Sequence, residues 1–222
     1  MNIMIHVCKE REWFVGGHLI PAIKEQAGGK EINVRCYVDS ERMGNQKAFL
    51  HSAKLIAGEE GDTWHLQDDV WPSGDFFETI SAYKDIPGII CGFGTRTACR
   101  GKSPGWTTAC GMYTSFQCIR IPNRMLTGLR QYVFTRYGKE VATDKWDDAL
   151  FAEYLLRKAP YYPVLNLAPS IVEHVDYIIG GSVINKQRKY RPTAIEFDQT
   201  ATEQLIERLR GTEHEYHDPR LH

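Results

Sequence analysis

The sequence predicts an α/β fold: one domain with a mostly parallel, twisted central sheet flanked by helices. Three observations carry this expectation. Strand-length and helix-length apolar segments alternate through roughly the first seventy residues, the order that builds a parallel sheet. The third of those strands, Trp64-His65-Leu66, runs through Gln67 into two adjacent carboxylates, Asp68-Asp69, and is stopped by Trp71-Pro72. Carboxyl ends of strands are where such sheets bind ligands. The chain has 222 residues, 42% hydrophobic and 25% charged, enough to bury a sizeable core in layers of this kind.

Taken in order, Asn2 to Cys8 reads as a buried strand, followed by the charged cluster Lys9-Glu10-Arg11-Glu12. Trp13, Phe14, Leu19, Ile20 and Ile23 predict a helix that closes at Gly28-Gly29, since glycine accepts the left-handed turn that ends helices. Ile32 to Val38 is a second strand, ending at Asp39-Ser40, and a second helix follows Met43-Gly44 through Ala57. Beyond the carboxylate pair, Phe76 to Tyr83 reads as helix and Ile86 to Phe93 as strand. Gly94 to Gly111 is rich in glycine, threonine and arginine and predicts a long loop; loops of that length inside compact domains are often functional. Tyr113 to Ile121 is a strand closed by Pro122. Asn123 to Arg136 is a helix with Met125, Leu126, Leu129 and Val133 on one face. Asp144 to Asp148 opens a further helix with its body at Ala149 to Lys158, Tyr162 to Leu167 is a strand, and an amphipathic helix spans Ala201 to Leu209. No internal repeat is present.

The formal net charge is −1, which supplies no overall basic field to draw in nucleic acid. The six cysteines contain no C-x-x-C pair, so neither a structural zinc site nor a disulfide framework is expected. The apolar N-terminus is too short for a secretory signal, and no run of about eighteen apolar residues exists. A cytoplasmic protein is the expectation.

Four acidic or basic features then stand in sequence: Asp39 at the end of the second strand, Asp68-Asp69 at the end of the third, Asp147-Asp148 at a helix start, and His174 after a late strand. Each has an ordinary explanation. Asp is a common turn residue, and carboxylates at a helix start favour its exposed amides. A lone histidine is commonly structural. On an extended backbone Asp68 and Asp69 would point to opposite faces, one into a cleft and the other towards a loop. Hard oxygen ligands of this type suit Mn²⁺ or Mg²⁺ held jointly with substrate phosphates.

The four features in this order resemble the GT-A-type glycosyltransferases, which use nucleotide-sugar donors. The likeness runs from the first strand to about Asn185. Tyr37-Val38-Asp39-Ser40 with Gly44 and Lys47-Ala48 is similar to that family's donor-base segment. Gln67-Asp68-Asp69-Val70 is similar to its DXD-type metal motif, with Gln67 at the first position in place of an acid. Trp146-Asp147-Asp148-Ala149-Leu150 resembles the acidic pair that supplies the base in inverting members. Pro169-Ser170-Ile171-Val172-Glu173-His174 with Gly181-Ser182 resembles the late segment whose histidine ligates the metal.

The resemblance implies a metal-dependent transferase with a donor half at about 1–93, an acceptor half at about 94–185, and a basic lid loop with C-terminal helix at 186–222. It implies Asp69 and His174 as ligands of Mn²⁺ or Mg²⁺. Asp39, Lys47 and Asp68 would contact a nucleotide-sugar, most simply a UDP-sugar, and Asp148 would be the base, with Asp147 as fallback. Arg188, Lys189 and Arg191, in a stretch with four cations in six residues, would fold onto the diphosphate, unless that stretch is simply a solvated surface loop. Trp106 and Arg96 would face the acceptor, a glycan or small molecule; Arg96, Arg100 and Lys102 would also suit DNA carrying a hydroxymethylated base. A non-catalytic nucleotide-binding protein on the same fold and, less well matched, a nucleotidyltransferase remain as alternatives.

Overall fold

A computed structural model describes residues 1–94, 105–108, 116–138, 147–181 and 197–214. The leading strand β1 (Asn2–Cys8) pairs in parallel with β2 (Asn33–Asp39) on one side and with β3 (Asp62–Gln67) on the other. Alternation sorts its side chains: Ile3, Ile5 and Val7 join the core on one face of the sheet, and Met4 joins the core on the other, as a pleated strand with period two requires. Between β1 and β2 the chain winds without interruption through a 3₁₀ turn (Lys9–Arg11), helix α1 (Glu12–Phe14), a π turn (Val15–Leu19) and helix α2 (Ile20–Ala27). It stops at Gly28, whose φ of +58° is the left-handed cap that glycine adopts without strain. Helix α3 (Asn45–Ile56) returns the chain from β2 to β3.

After a short strand β4 (Val70–Pro72) come helix α4 (Phe76–Ala82), β5 (Ile89–Cys91), β6 (Gly105–Thr108) and β7 (Cys118–Pro122). Helices α5 (Asn123–Tyr137) and α6 (Asp147–Lys158) precede β8 (Pro163–Asn166), β9 (Val172–His174) and helix α7 (Gln199–Leu209). The central sheet has seven strands in the order β2-β1-β3-β7-β5-β8-β6, and β4 pairs with β9 in a separate ribbon. Five of the seven strands run one way; β7 and β6 run against them. Residues of α2, α4 and α7 fill the core on one face of the sheet, and those of α3, α5 and α6 fill the other. Each of the large apolar side chains sealed there, such as Trp64 and Phe151, contributes about 1.5–3 kcal/mol by leaving water. The buried Arg120 of β7 donates to the carbonyls of Tyr83, Ile86 and Gly88 and pairs with Asp62 at 3.4 Å, which fastens the 83–88 segment to the sheet.

The expected 94–111 loop contains a strand. Gly105–Thr108 adds to the sheet edge beside β8, antiparallel, with Trp106 opposite Leu165. None of its four residues is fully buried and Trp106 is exposed, so no apolar alternation marks it in the sequence.

His65, on the α3 face of β3, is fully buried. Its Nδ1 lies 3.0 Å from Nε2 of His6, and Nδ1 of His6 lies 3.1 Å from Oγ of Ser52. Ser52 donates its own proton to the Phe49 carbonyl, so it accepts from His6, and His6 in turn accepts from His65. That order of donors belongs to two neutral rings, the state burial favours for both, and Nε2 of His65 has no partner. Burial lowers the His6 pKa to about 4, and burial with the His6 neighbour holds His65 well below the ordinary histidine value. The unfolded chain takes up these protons from pH 6.5 downward while the folded chain resists them. The pair thus costs stability progressively as pH falls from 6.5 towards 4. The raised carboxyls of Asp68 and Asp147 act in the opposite direction, so the informative quantity is a difference between proteins. His65→Gln keeps a donor towards His6 but cannot be protonated. Relative to wild type it should gain stability progressively between pH 6.5 and 4 in urea unfolding. A pH-independent difference would refute the account.

Candidate functional site

The site is assembled at the carboxyl ends of β2, β1 and β3. The registers align Cys8 with Asp39 and His6 with Gln67, so the residues that follow these strands emerge side by side. Asp68 and Asp69 form a turn between β3 and β4, and here the structure departs from the expectation of opposite orientations. An extended pair would diverge; the turn brings both carboxylates to one partner. That partner is Arg11, whose Nη1 lies 3.1 Å from Oδ1 of Asp68 and 2.8 Å from Oδ2 of Asp69. Its Nη2 donates to the Gly181 carbonyl at 2.8 Å. The Cys8 amide donates to the other Asp68 oxygen at 2.5 Å.

The ribbon β4–β9 sets Val70 opposite His174, and the Val175 amide donates to the Asp69 carbonyl at 2.7 Å. These contacts deliver His174 to the same carboxylate, with Nε2 3.1 Å from Oδ2 of Asp69. Behind the imidazole, Oδ1 of Asp176 lies 3.3 Å from Nδ1 of His174, close but not aligned as a hydrogen bond. Burial disfavours charge on Asp69, yet His174 and Arg11 outweigh it and hold its carboxyl well below the ordinary range. On Asp68 burial prevails, together with repulsion from Asp69, and its pKa is raised. Burial likewise works against a charged His174, but Asp69 and Asp176 overcome it and raise the imidazole.

A second group of residues borders the first. Asp147 and Asp148 open α6. The buried Asp147 accepts from the Asn45 side chain and from the Asp148 amide, both at 3.0 Å, and from Gln67, the residue before the Asp68-Asp69 turn. Burial and the neighbouring Asp148 raise Asp147 to about 7. Asp148 is less buried, and burial raises it also. Asn45 belongs to the same connection as Asp39, whose two carboxylate oxygens accept from the amides of Met43 and Gly44 at 2.9 and 3.0 Å. Gly44 has φ of +88°, so this loop needs both the carboxylate and the glycine. Asp39→Ala should cost about 1–3 kcal/mol in urea unfolding; a loss below about 0.5 kcal/mol would mean that Asp39 does not hold the loop.

Of the other residues singled out in the sequence, Lys47 is exposed in the first turn of α3. Trp106 is not brought to this site. It lies on the edge strand β6, 55% exposed, with its ring against Gly88 before the amino end of β5. Strand β6 is the far edge of the sheet, four strands from β3, which keeps Trp106 away from Asp69. Arg96, Arg188, Lys189 and Arg191 lie outside the described residues. Arg11, Asn45 and Asp176 went unrecognised in the sequence: nothing local separates a buried arginine from the charged cluster around it.

No protein-family model matches the chain, and no curated protein matches it in sequence. Solved structures do match. The catalytic domain of Drosophila β1,4-galactosyltransferase 7 in complex with xylobiose superposes with a TM-score of 0.53 at 9% identity, covering 91% of this chain and 79% of that one. A mutant of the same enzyme with manganese, UDP-Gal and xylobiose gives 0.51 at 9% identity, covering 97% and 82%. The fold is GT-A-like. No helix among the described residues is long and apolar enough to cross a membrane.

Whether this GT-A-like sheet can hold a divalent ion is a question about its donor atoms. Among the described residues no three His, Cys, Asp or Glu side chains form a ready metal cluster. Asp69 and His174 nevertheless offer a carboxylate oxygen and an imidazole nitrogen 3.1 Å apart. Four buried polar atoms have no hydrogen-bond partner at this spot: Arg11 Nε, Asp69 Oδ1, His174 Nδ1 and Asp176 Oδ1. Such a concentration is unusual in a folded interior. A carboxylate behind a histidine is also the support that metal-ligating imidazoles usually have. Two protein ligands fit an ion whose remaining positions are filled by phosphates and water.

Proposed function

We propose that the protein is a glycosyltransferase that moves a sugar from a nucleotide-sugar, most simply a UDP-sugar, to an acceptor hydroxyl with inversion, dependent on Mn²⁺ or Mg²⁺. The observation that carries this is the convergence of Asp69, His174 and Asp176 beside the Asp147-Asp148 pair, at the carboxyl end of a GT-A-like sheet. The similar Drosophila enzyme, crystallised with manganese and UDP-Gal, supports the choice of donor and ion. When bound, the ion offsets charge that grows on the diphosphate as the sugar–phosphate bond breaks.

The chain's own residues do the rest. Asp69 and His174 hold the ion, and Asp176 orients the His174 ring. Asp68 and Arg11 fix the Asp69 carboxylate. Asp39 shapes the loop in which the nucleotide lies, with Lys47 at its rim, and Arg188, Lys189 and Arg191 reach the diphosphate. Asp148 takes the acceptor's proton as its oxygen attacks; it is the more accessible member of its pair, and Asp147 beneath it is tied to Asn45 and Gln67. The reading is tested by thermal unfolding with nucleoside diphosphates and nucleotide-sugars, each with Mn²⁺, Mg²⁺ or EDTA. A shift that needs both metal and one nucleotide family supports it. Equal midpoints with every nucleotide, with or without metal, would leave a protein of this fold with no donor site.

A further inference from the structure

Arg11 is a buried cation held on three sides. It is 4% exposed, it touches both carboxylates of the Asp68-Asp69 turn, and it also holds the Gly181 carbonyl. The Asp69 oxygen that it contacts, Oδ2, is the one that His174 approaches; only Oδ1 is without a partner. A cation that Asp69 and His174 share through Oδ2 lies close to the Arg11 guanidinium. With the 2.8 Å contact and a ligand bond of about 2.1 Å, the two positive charges come within roughly 5 Å. In a buried setting like charges at that separation repel strongly. Arg11 is too enclosed to swing into solvent and too basic to lose its proton, because the two carboxylates more than overcome the effect of burial on its pKa.

Resting on the metal-dependent reading above, we propose that Arg11 is a positioning residue that keeps a divalent cation from settling on Asp69 and His174 until an anionic diphosphate arrives with it. The carboxylates are held in place for the ion, but part of their charge is already neutralised. Metal alone meets one partly satisfied carboxylate and a fixed cation. Metal with a nucleoside diphosphate brings its own negative charge and oxygen ligands, and the guanidinium then faces a net anion. Metal and donor affinities become strongly coupled, as the reciprocity of linked binding requires.

The experiment measures Mn²⁺ binding to the full chain from the loss of the free-ion electron paramagnetic resonance signal, with and without UDP. Arg11→Met keeps an unbranched stem and removes the charge. It leaves Asp68 with only the Cys8 amide and Asp69 with only His174, so the double variant Arg11→Met/Asp68→Asn is made alongside it, removing the Arg11–Asp68 pair together; Arg11→Lys keeps the charge but not the bridging fork. For wild type and Arg11→Lys, Mn²⁺ alone should bind weakly. Arg11→Met, or the double variant if the single one does not fold, should bind Mn²⁺ alone at least about tenfold more tightly, the effect of roughly 1.4 kcal/mol of relieved repulsion, and should gain less from UDP. If wild type binds Mn²⁺ with UDP but charge removal leaves the metal-only affinity unchanged, the gating role is wrong and the functional reading survives. If charge removal creates tight Mn²⁺ binding while wild type binds none even with UDP, the role of Arg11 holds and the metal-dependent transferase does not. Absence of Mn²⁺ binding in every protein overturns both.

Discussion

Replacing Asp148 by asparagine is expected to lower kcat by about 10²–10⁴-fold and leave donor affinity nearly unchanged. The amide keeps the size and the helix-start position of the carboxylate but cannot accept the acceptor's proton, whereas the proposed donor contacts are on the Asp69 and Asp39 side of the site. Asp147→Asn is the necessary comparison. With Asp147 raised to about 7, a base at that position would give a rate that climbs with pH through neutrality, because only its deprotonated form can accept a proton. If Asp148 is the base, the rate follows the ionisation of Asp148 instead and its pH dependence survives in Asp147→Asn. The results that would reverse the assignment are a loss of donor affinity matching the loss of turnover in Asp148→Asn, or a pH limb abolished by Asp147→Asn alone.

The second large effect belongs to Asp69. In Asp69→Ala the metal-dependent stabilisation by donor should vanish. For wild type at a ligand concentration about 100 times Kd it amounts to about 2.7 kcal/mol, read as the difference between midpoints with Mn²⁺ and with EDTA. The variant should also lose about 3–5 kcal/mol of intrinsic stability, because Arg11 and His174 then face each other across a vacated carboxylate. Asp69→Asn keeps a neutral acceptor there and should lose less stability while still losing the metal-dependent increment. A full metal-dependent increment in either variant would place the ion elsewhere.

The sequence displays the fold better than the site. β1, β2 and β3 are visible because each is an apolar run bounded by turn or charged residues, and α5 because Met125, Leu126, Leu129 and Val133 recur with helical period. β6 is hidden because an edge strand of four residues needs no alternation of burial. β4 and β9 are hidden because three residues are too few to show any period, and β4 includes a proline. At the site, Asp68, Asp69 and His174 are legible as chemically informative types near strand ends. Arg11 is not, because Lys9-Glu10-Arg11-Glu12 reads as a solvated cluster. Only the 3₁₀ turn after Cys8, and then the continuous helical winding, turns the third of those four residues inward while its neighbours stay outside. Asp176 and Asn45 matter through contacts with residues distant or displaced in sequence, His174 and Asp147, and no local pattern carries such information. Trp106 shows the converse: an aromatic residue in a glycine-rich segment reads as a recognition residue, and its place on the far edge strand separates it from the Asp69 cluster.

The reversed strand β7 also bears on how this chain is made. One whole edge of β3, from Asp62 to Leu66, is closed by β7 alone, and about fifty residues separate Gln67 from Cys118. At roughly 5–20 residues per second a ribosome needs several seconds to supply them. Through that interval β1, β2 and β3 can already lie together, with the β3 edge presenting open amides and carbonyls beside Trp64 and Leu66, the arrangement most prone to pairing with another chain. The vulnerable period of this protein falls in mid-synthesis, and slower initiation or a bound chaperone should raise its soluble yield more than any added stability in the finished fold.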